Sequence, residues 1–210
     1  MPTQRRIGAV SLRLAMGLAF LCSLAAPRPA GATTLRRMDL PDLVAHSQRV
    51  VHARAVSNRV YWDPTHSQIY TDTVFETIGE AKGSGPKKLT ITQLGGRIDP
   101  LEMLVDGTPT FRAGEEVVLF AEPRPGGNHM IVGLSQGVMR VSTDPTTGER
   151  VAIGEVPEAV SFVGGRPVRS AAKLDDLMDE VRQLAGGGAA NRPARGKPAT
   201  DPVRPGGVKP

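Results

Sequence analysis

The fold is decided by residues 49–83, which read RVVHARAVSNRVYWDPTHSQIYTDTVFETIGEAKG. In the first half Val51, Ala53 and Ala55 alternate on one face, and small residues there suit the inside of a narrow barrel. The second half is rich in threonine and other β-branched residues, which favour a strand over a helix. Residues 63–67, DPTHS, are typical of a turn. The stretch therefore predicts two long antiparallel strands that seed a small β-barrel.

The apolar alternation changes phase inside the first of these strands. Past Ser57-Asn58 the apolar positions move to Val60 and Trp62. A slip of one residue predicts a β-bulge, because an extra residue in one strand transfers the later side chains to the other face. A bulge would also bend the strand as a small barrel requires.

Further strands are predicted on the C-terminal side of this hairpin. They are expected over residues 88–94, 116–121, 130–134, 138–141 and 150–153. The run EVVLFA at 116–121 is almost continuously apolar, which indicates a strand covered on both faces. Residues 97–110 are expected to form a long connection with a short helical or extended piece near Leu101–Leu104.

Two helices complete the predicted fold. A short helix is expected over residues 38–47 with Asp39 as its cap, and a longer one over residues 170–185 with Ser170 as its cap. The longer helix carries an apolar stripe of Leu174, Leu177, Met178, Val181 and Leu184. The fold class is therefore mainly β: an OB-like antiparallel barrel of five or six strands, with a short N-terminal helix and a C-terminal amphipathic helix packed outside.

The two ends of the chain predict segments outside this domain of residues 33–185. Residues 1–32 have the charged start, apolar run and Ala30-Gly31-Ala32 site of a secretory signal peptide. We expect the mature chain to begin at Thr33, without a transmembrane segment, in the periplasm or outside the cell. Residues 186–210 are rich in glycine, proline and basic residues and predict a disordered tail.

The basic pI of about 9.8 is that of the whole sequence and does not apply to the predicted domain alone. Because residues 1–32 and 186–210 each contribute +4 to the total of +5, residues 33–185 carry a net charge of −3. Nucleic-acid binding is therefore not expected, since its electrostatic footprint is a basic domain. The single cysteine, Cys22, leaves with the leader, and we expect no cofactor, metal site or disulfide.

Residues 133–137, GLSQG, match the G-x-S-x-G string of serine hydrolases. That chemistry needs a strand–turn–helix that exposes the serine, whereas the residues after Gly137 predict a strand. No catalytic residue is predicted. The alternative, a serine hydrolase using Ser135, requires an exposed hydroxyl with His129 or His52 within hydrogen-bond reach.

A second alternative is a single-strand nucleic-acid-binding module. Small five-stranded barrels bind single strands through aromatic side chains and basic grooves. Tyr61, Trp62, Tyr70 and Phe75 are the aromatic residues expected to line such a face. The mild acidity of the predicted domain opposes this interpretation.

Several strings of the predicted domain, taken together, resemble a family of uncharacterised exported bacterial proteins. They are VVHARAV at 50–56, Trp62, IYTD at 69–72, EAKG at 80–83, GGR at 95–97, FRAGEEVVLF at 111–120 and GLSQG at 133–137. Their order also resembles the netrin-like OB-barrel of tissue inhibitors of metalloproteinases. Those inhibitors chelate the protease zinc through a disulfide-tied N-terminal cysteine, which the predicted mature chain lacks. The resemblance therefore implies the barrel more than it implies inhibition.

These observations predict an exported, non-enzymatic binding or accessory protein with a protein partner. The specific expectation, by fold analogy, is a partner or inhibitor of a secreted metalloprotease. Exposed aromatic residues and arginine are enriched among interface anchors. The candidate interface residues are Tyr61, Trp62, Tyr70 and Arg97.

Overall fold

A computed structural model describes residues 33–156, 160–167 and 170–187. The predicted signal peptide and nearly all of the predicted tail lie outside the described residues. Within the described residues, no helix has both the length and the apolar character needed to span a membrane.

The described residues form a mainly β structure with two α-helices. The helices are α1 (Leu40–His46) and α2 (Leu174–Gly187). The strands are β1 (Thr33–Arg36), β2 (Arg49–Trp62), β3 (Ile69–Lys82), β4 (Lys88–Leu94), β5 (Gly96–Ile98), β6 (Leu101–Met103), β7 (Glu116–Pro123), β8 (His129–Ile131), β9 (Val138–Thr143), β10 (Arg150–Gly154), β11 (Val160–Val163) and β12 (Ala171–Lys173).

Five strands close into a barrel in the order β2–β3–β4–β8–β7 and back to β2. Four of the five pairings are antiparallel, as the sequence predicts. The exception is the pairing of β4 with β8, which is parallel and consists of one residue pair, Ile91 with His129. The sheet is therefore mixed, where a purely antiparallel barrel was expected.

Strand β2 has the irregularity that the phase change predicts. Its register with β3 shifts between Ala55 and Ser57, next to the predicted position, and twice more near the start of the strand. Ala53 and Ala55 are buried inside the barrel. The bulge and the small inward residues are thus confirmed.

Strand β7 is covered on both faces. Val117 and Leu119 join the apolar cluster inside the barrel, whereas Val118 and Phe120 join a second cluster outside it. One edge of β7 pairs with β2; the other pairs with β9 along its first half and β8 along its second. The continuously apolar run at 116–121 is explained by this position.

The outer cluster holds the two helices against the sheet. The predicted stripe of α2 is confirmed, with Leu174, Leu177, Met178 and Val181 buried in this cluster and Leu184 packed against it. Helix α1 starts after Asp39, whose Oδ1 accepts a 3.0 Å hydrogen bond from the Asp42 N–H, as expected of a cap.

Three predicted elements have different bounds. Helix α2 starts at Leu174, so Ser170 is not its cap; the intervening residues Ala171–Lys173 pair with β10 instead. The strand predicted at 130–134 ends at Ile131, and Leu134–Gly137 form a 3-10 helix. The long connection contains the short hairpin β5–β6.

Candidate functional site

An open cleft of about 270 Å³ lies at the tip of the β2–β3 hairpin. We call it the tyrosine cleft. Its walls come from the end of β2, the start of β3, the middle of β4 and the loop between β7 and β8. The lining residues are Tyr61, Asp63, Pro64, Tyr70, Thr92, Arg124, Pro125, Gly126 and Asn128.

Two tyrosines form the floor of the tyrosine cleft. Tyr61 and Tyr70 are register partners across the hairpin, so their side chains leave the same face of the sheet. Their ring centroids lie 6.1 Å apart with an interplanar angle of 28°, which is an offset stack. Both rings are half-buried and retain an accessible surface.

An arginine covers each tyrosine ring. The guanidinium carbon of Arg124 lies 4.8 Å from the centroid of Tyr70, and that of Arg59 lies 4.7 Å from the centroid of Tyr61. Both distances are typical of cation–π contacts. The result is a ladder of four side chains in the order Arg59, Tyr61, Tyr70 and Arg124, drawn from three different segments of the chain.

A chain of hydrogen bonds fixes one wall of the cleft. The Tyr61 hydroxyl donates to Asp72 Oδ1 at 3.1 Å, and the Thr92 hydroxyl donates to the same oxygen at 2.6 Å. Asn128 Nδ2 donates to Thr92 Oγ1 at 2.9 Å. Burial, together with the Asp72 carboxylate, raises the pKa of Tyr61 above its ordinary value.

The turn at the hairpin tip is held by Asp63. Its carboxylate accepts hydrogen bonds from the Ser67 N–H at 2.6 Å and the Gln68 N–H at 2.8 Å, and from the Thr65 hydroxyl. The Thr65 hydroxyl and these backbone donors hold the pKa of Asp63 well below its usual range. The carboxylate thus remains ionised and is engaged within its own turn.

The four predicted interface residues do not form one surface. Tyr61 and Tyr70 lie together, but Trp62 neighbours Tyr61 along the strand and therefore leaves the opposite face; its ring stacks on His66 at 6.1 Å. Arg97 lies on β5, where its Nε donates to Asp99 at 2.7 Å. The structure thus assigns two of the four residues to the cleft.

Phe75 has a different role from the one that the nucleic-acid alternative requires. It is fully buried inside the barrel and packs edge-to-face on Phe111, with ring centroids 5.0 Å apart. Phe75 and Tyr70 lie an odd number of positions apart on β3, so their side chains leave opposite faces of the strand. The prediction of a single aromatic face that includes Phe75 is therefore wrong.

Sequence reasoning missed the residues that complete the cleft. Arg124 and Asn128 come from the β7–β8 loop, and Thr92 comes from β4, so only the barrel closure brings them to the tyrosines. The period of a strand could have placed Asp72 beside Tyr70, because residues two apart share a face. No local signal marks Arg124.

Ser135 does not meet the geometric condition for a nucleophile. Ser135 lies in the 3-10 helix and is only 4% exposed. Its hydroxyl has no hydrogen-bond partner within the described part of the chain. Its N–H donates to the Gly107 carbonyl at 3.0 Å, which fixes the backbone against the long connection. The serine therefore lies buried against the long connection and does not present an exposed hydroxyl.

A second charged cluster surrounds Glu116 on β7. The carboxylate accepts hydrogen bonds from Arg54 at 2.6 Å and from Arg150, and His52 Nε2 lies 3.1 Å from it. The hydrogen bond from Arg54, followed by those from His52 and Arg150, lowers the pKa of Glu116 to about 2. Burial lowers the pKa of His52. These contacts tie together β2, β7 and β10.

The tyrosine cleft is suited to binding. Its lining presents two tyrosine rings, the Arg124 guanidinium and the Asn128 amide, and tyrosine and arginine are enriched among interface anchors. The described residues gather no group of three or more histidine, cysteine or acidic side chains that could hold a metal ion. No protein-family model and no curated protein matches the chain.

Proposed function

We propose that the chain is an exported, non-enzymatic binding protein whose OB-like barrel holds a protein partner in the tyrosine cleft. The OB-like assignment is supported by the strand order. When the five barrel strands are numbered in chain order, the first pairs with the second and fourth, and a parallel contact joins the third to the fifth. OB-folds are five-stranded, partly open Greek-key barrels.

The position of the cleft supports a binding role for the barrel. OB-folds bind on the face of their second and third strands, between the loop that joins strands one and two and the loop that joins strands four and five. In this chain those parts are β3, β4, the turn at residues 63–68 and the loop at residues 124–128. They are the parts that line the tyrosine cleft.

The observation that carries the proposal is the ladder of Arg59, Tyr61, Tyr70 and Arg124. Tyrosine and arginine are the residue types most enriched at binding hot spots, together with tryptophan. The ladder is held by stacking and by the bond from Tyr61 to Asp72 before any partner arrives. A preorganised surface loses little side-chain entropy on binding, which favours affinity.

The proposal is tested by partner capture with cleft variants. Immobilised full chain is exposed to the envelope and secreted proteins of the source cell, and retained proteins are identified. Tyr70→Ala is expected to weaken retention of a true partner by roughly tenfold or more, as loss of a hot-spot residue does. Leu104→Ala is the control, because Leu104 is 80% exposed, large and apolar but lies outside the cleft.

If Tyr70→Ala and Tyr61→Ala both fold and retain the partner as well as the unmodified chain does, the proposal is contradicted.

The metalloprotease expectation is supported by the resemblance to tissue inhibitors alone. It is tested by adding the chain to secreted proteases and measuring peptide hydrolysis. Undiminished hydrolysis at a saturating concentration of the chain would contradict the inhibitor expectation.

A further inference from the structure

We infer that the tyrosine cleft recognises an extended acidic segment of a protein partner, through carboxylates that bind Arg124 in the cleft and Arg59 beside it, over the Tyr61 ring. This inference rests on the proposed binding function and names the chemistry of the ligand. It is carried by two observations: two guanidinium groups without a carboxylate at ion-pair distance among the described residues, and the aromatic surface that lies between them.

The two arginines of the ladder differ from most arginines that the structure describes. Arg49, Arg54, Arg140 and Arg150 each form an ion pair with a glutamate. Within the described ranges neither Arg59 nor Arg124 has a carboxylate at ion-pair distance; each instead covers a tyrosine ring. A guanidinium stacked by its face keeps its N–H groups free at the edge, where they fit a carboxylate in two parallel hydrogen bonds.

The acidic groups of the cleft do not satisfy these arginines. Asp72 lies across the hairpin from Arg59 in the strand register, but its Oδ1 accepts from the Tyr61 and Thr92 hydroxyls. Asp63 accepts five hydrogen bonds from donors in its own turn. Neither carboxylate lies at ion-pair distance from either arginine, so the guanidinium N–H groups are available to a ligand.

The charge of the surroundings selects among anionic ligands. Residues 33–185 carry a net charge of −3, and Asp63 and Asp72 stand beside the two arginines, so the positive charge is confined to the guanidinium groups themselves. A nucleic acid or other polyanion would bring a continuous row of charges toward Asp63, Asp72 and the acidic body, and like charges repel. A peptide with separated carboxylates meets the arginines and presents neutral residues elsewhere.

The space between the two arginines is aromatic. The offset rings of Tyr61 and Tyr70 present a half-buried apolar surface. Proline packs well on such surfaces, because its extended conformation is preformed and costs little entropy. An acidic segment with proline between its carboxylates matches both parts of the cleft.

The test uses the purified full chain and labelled short peptides in fluorescence anisotropy titrations. One probe alternates glutamate and proline, a second replaces each glutamate with glutamine, and a third is a short oligothymidylate. The glutamate–proline peptide is expected to bind at least about tenfold more tightly than its glutamine counterpart, since hydrogen bonds to charged groups are the strong ones.

The same titrations are repeated on variants of equal charge. Arg59→Gln and Arg124→Gln are each expected to weaken glutamate–proline binding by roughly tenfold. Arg112→Gln is the matched control: it removes one positive charge at an exposed arginine outside the cleft and without an ion pair among the described residues. Its binding is expected to stay within about twofold of the unmodified chain.

Several results would overturn the inference. These are no detectable binding of the glutamate–proline peptide, equal binding of the glutamine peptide, unchanged binding by both arginine variants, or tighter binding of oligothymidylate through the same arginines. The two proposals are separable. If a captured partner is lost with Tyr70→Ala but retained by Arg59→Gln and Arg124→Gln, the proposed binding function is supported. The same result contradicts recognition of an acidic segment.

Discussion

Gly96 shows how a single residue positions an element beside the barrel. Its φ is +143°, and an added Cβ would lie 2.6 Å from Thr71 Oγ1 and 2.7 Å from Val60 Cγ1. The Thr71 hydroxyl also donates to the Gly95 carbonyl at 2.7 Å. The start of the β5–β6 hairpin is therefore pressed against β2 and β3, which leaves room for glycine only.

We expect Gly96→Ala to lower the free energy of unfolding by more than about 2 kcal/mol, because it combines backbone strain with overpacking. Gly114→Ala separates the two effects: its φ is +87°, but a Cβ there meets nothing within 4 Å. That control is expected to cost about 1 kcal/mol. Urea denaturation measures both, and equal costs would show that the contacts of Gly96 are unimportant.

His52 gives the stability of the fold a pH dependence. Since burial lowers its pKa in the fold, the unfolded chain binds the proton more readily. Stability is therefore full above the unfolded pKa of about 6.5 and is lost as the pH falls below it. Glu116, with its pKa lowered to about 2, adds a further loss below the ordinary glutamate range.

Replacing His52 isolates its contribution to this acid sensitivity. Unfolding of the chain and of His52→Gln is measured between about pH 8 and pH 5.5, across the ordinary histidine range. The slope of stability against pH is expected to be smaller in the variant, whatever its absolute stability. Parallel curves would assign the acid sensitivity to other groups.

At the scale of the element, α2 is held to the sheet by its apolar stripe. Leu177 and Val181 are buried against the outer face of the sheet, whereas Gln183 is exposed on the same helix. Most helical stability in proteins comes from such packing. The stripe was predictable because its period is local to the sequence.

Leu177→Ala is expected to lower the free energy of unfolding by about 2–5 kcal/mol, since it leaves a cavity beneath α2. Gln183→Ala, on the exposed side, is expected to stay within about 0.5 kcal/mol of the unmodified chain. Thermal or urea unfolding gives both values. Similar costs for the two variants would mean that α2 does not rest on this cluster.

Elements with strong local signals were predictable, and those made by distant pairing were not. The bulge near Ser57 and the turn after Trp62 follow from phase and turn chemistry alone. The start of α2 was misplaced because Ala171–Lys173 join β10, a tertiary contact that overrides their helical pattern. For the same reason the pairing of Tyr61 with Tyr70 was predictable from the hairpin, whereas Arg124 reaches them only through barrel closure.

At the scale of the whole molecule, the barrel has one weak junction. Strands β2 and β3 share a long ladder, but β4 and β8 share a single residue pair, supported by the side-chain bond from Asn128 to Thr92. Regions with few backbone hydrogen bonds open with less free energy than the whole fold. The β4–β8 junction is therefore the expected site of local opening.

Native-state hydrogen exchange tests this expectation. Amides of β8 are expected to exchange faster than those of the buried part of β7, although both strands belong to the same barrel. Asn128→Ala is expected to widen the difference, and Asn58→Ala, which removes a side-chain bond to the Phe111 carbonyl away from the junction, is the control. Uniform protection across both strands would contradict a weak junction.

The tyrosine cleft spans the weak β4–β8 junction of the barrel. Thr92 lies on one side of this junction and Asn128 on the other. A ligand that contacts both residues would cross-link the two sides, so binding in the cleft stabilises the closed barrel against local opening. A ligand of the cleft, such as the proposed partner, can therefore be detected by slowed hydrogen exchange of β8 as well as by direct binding.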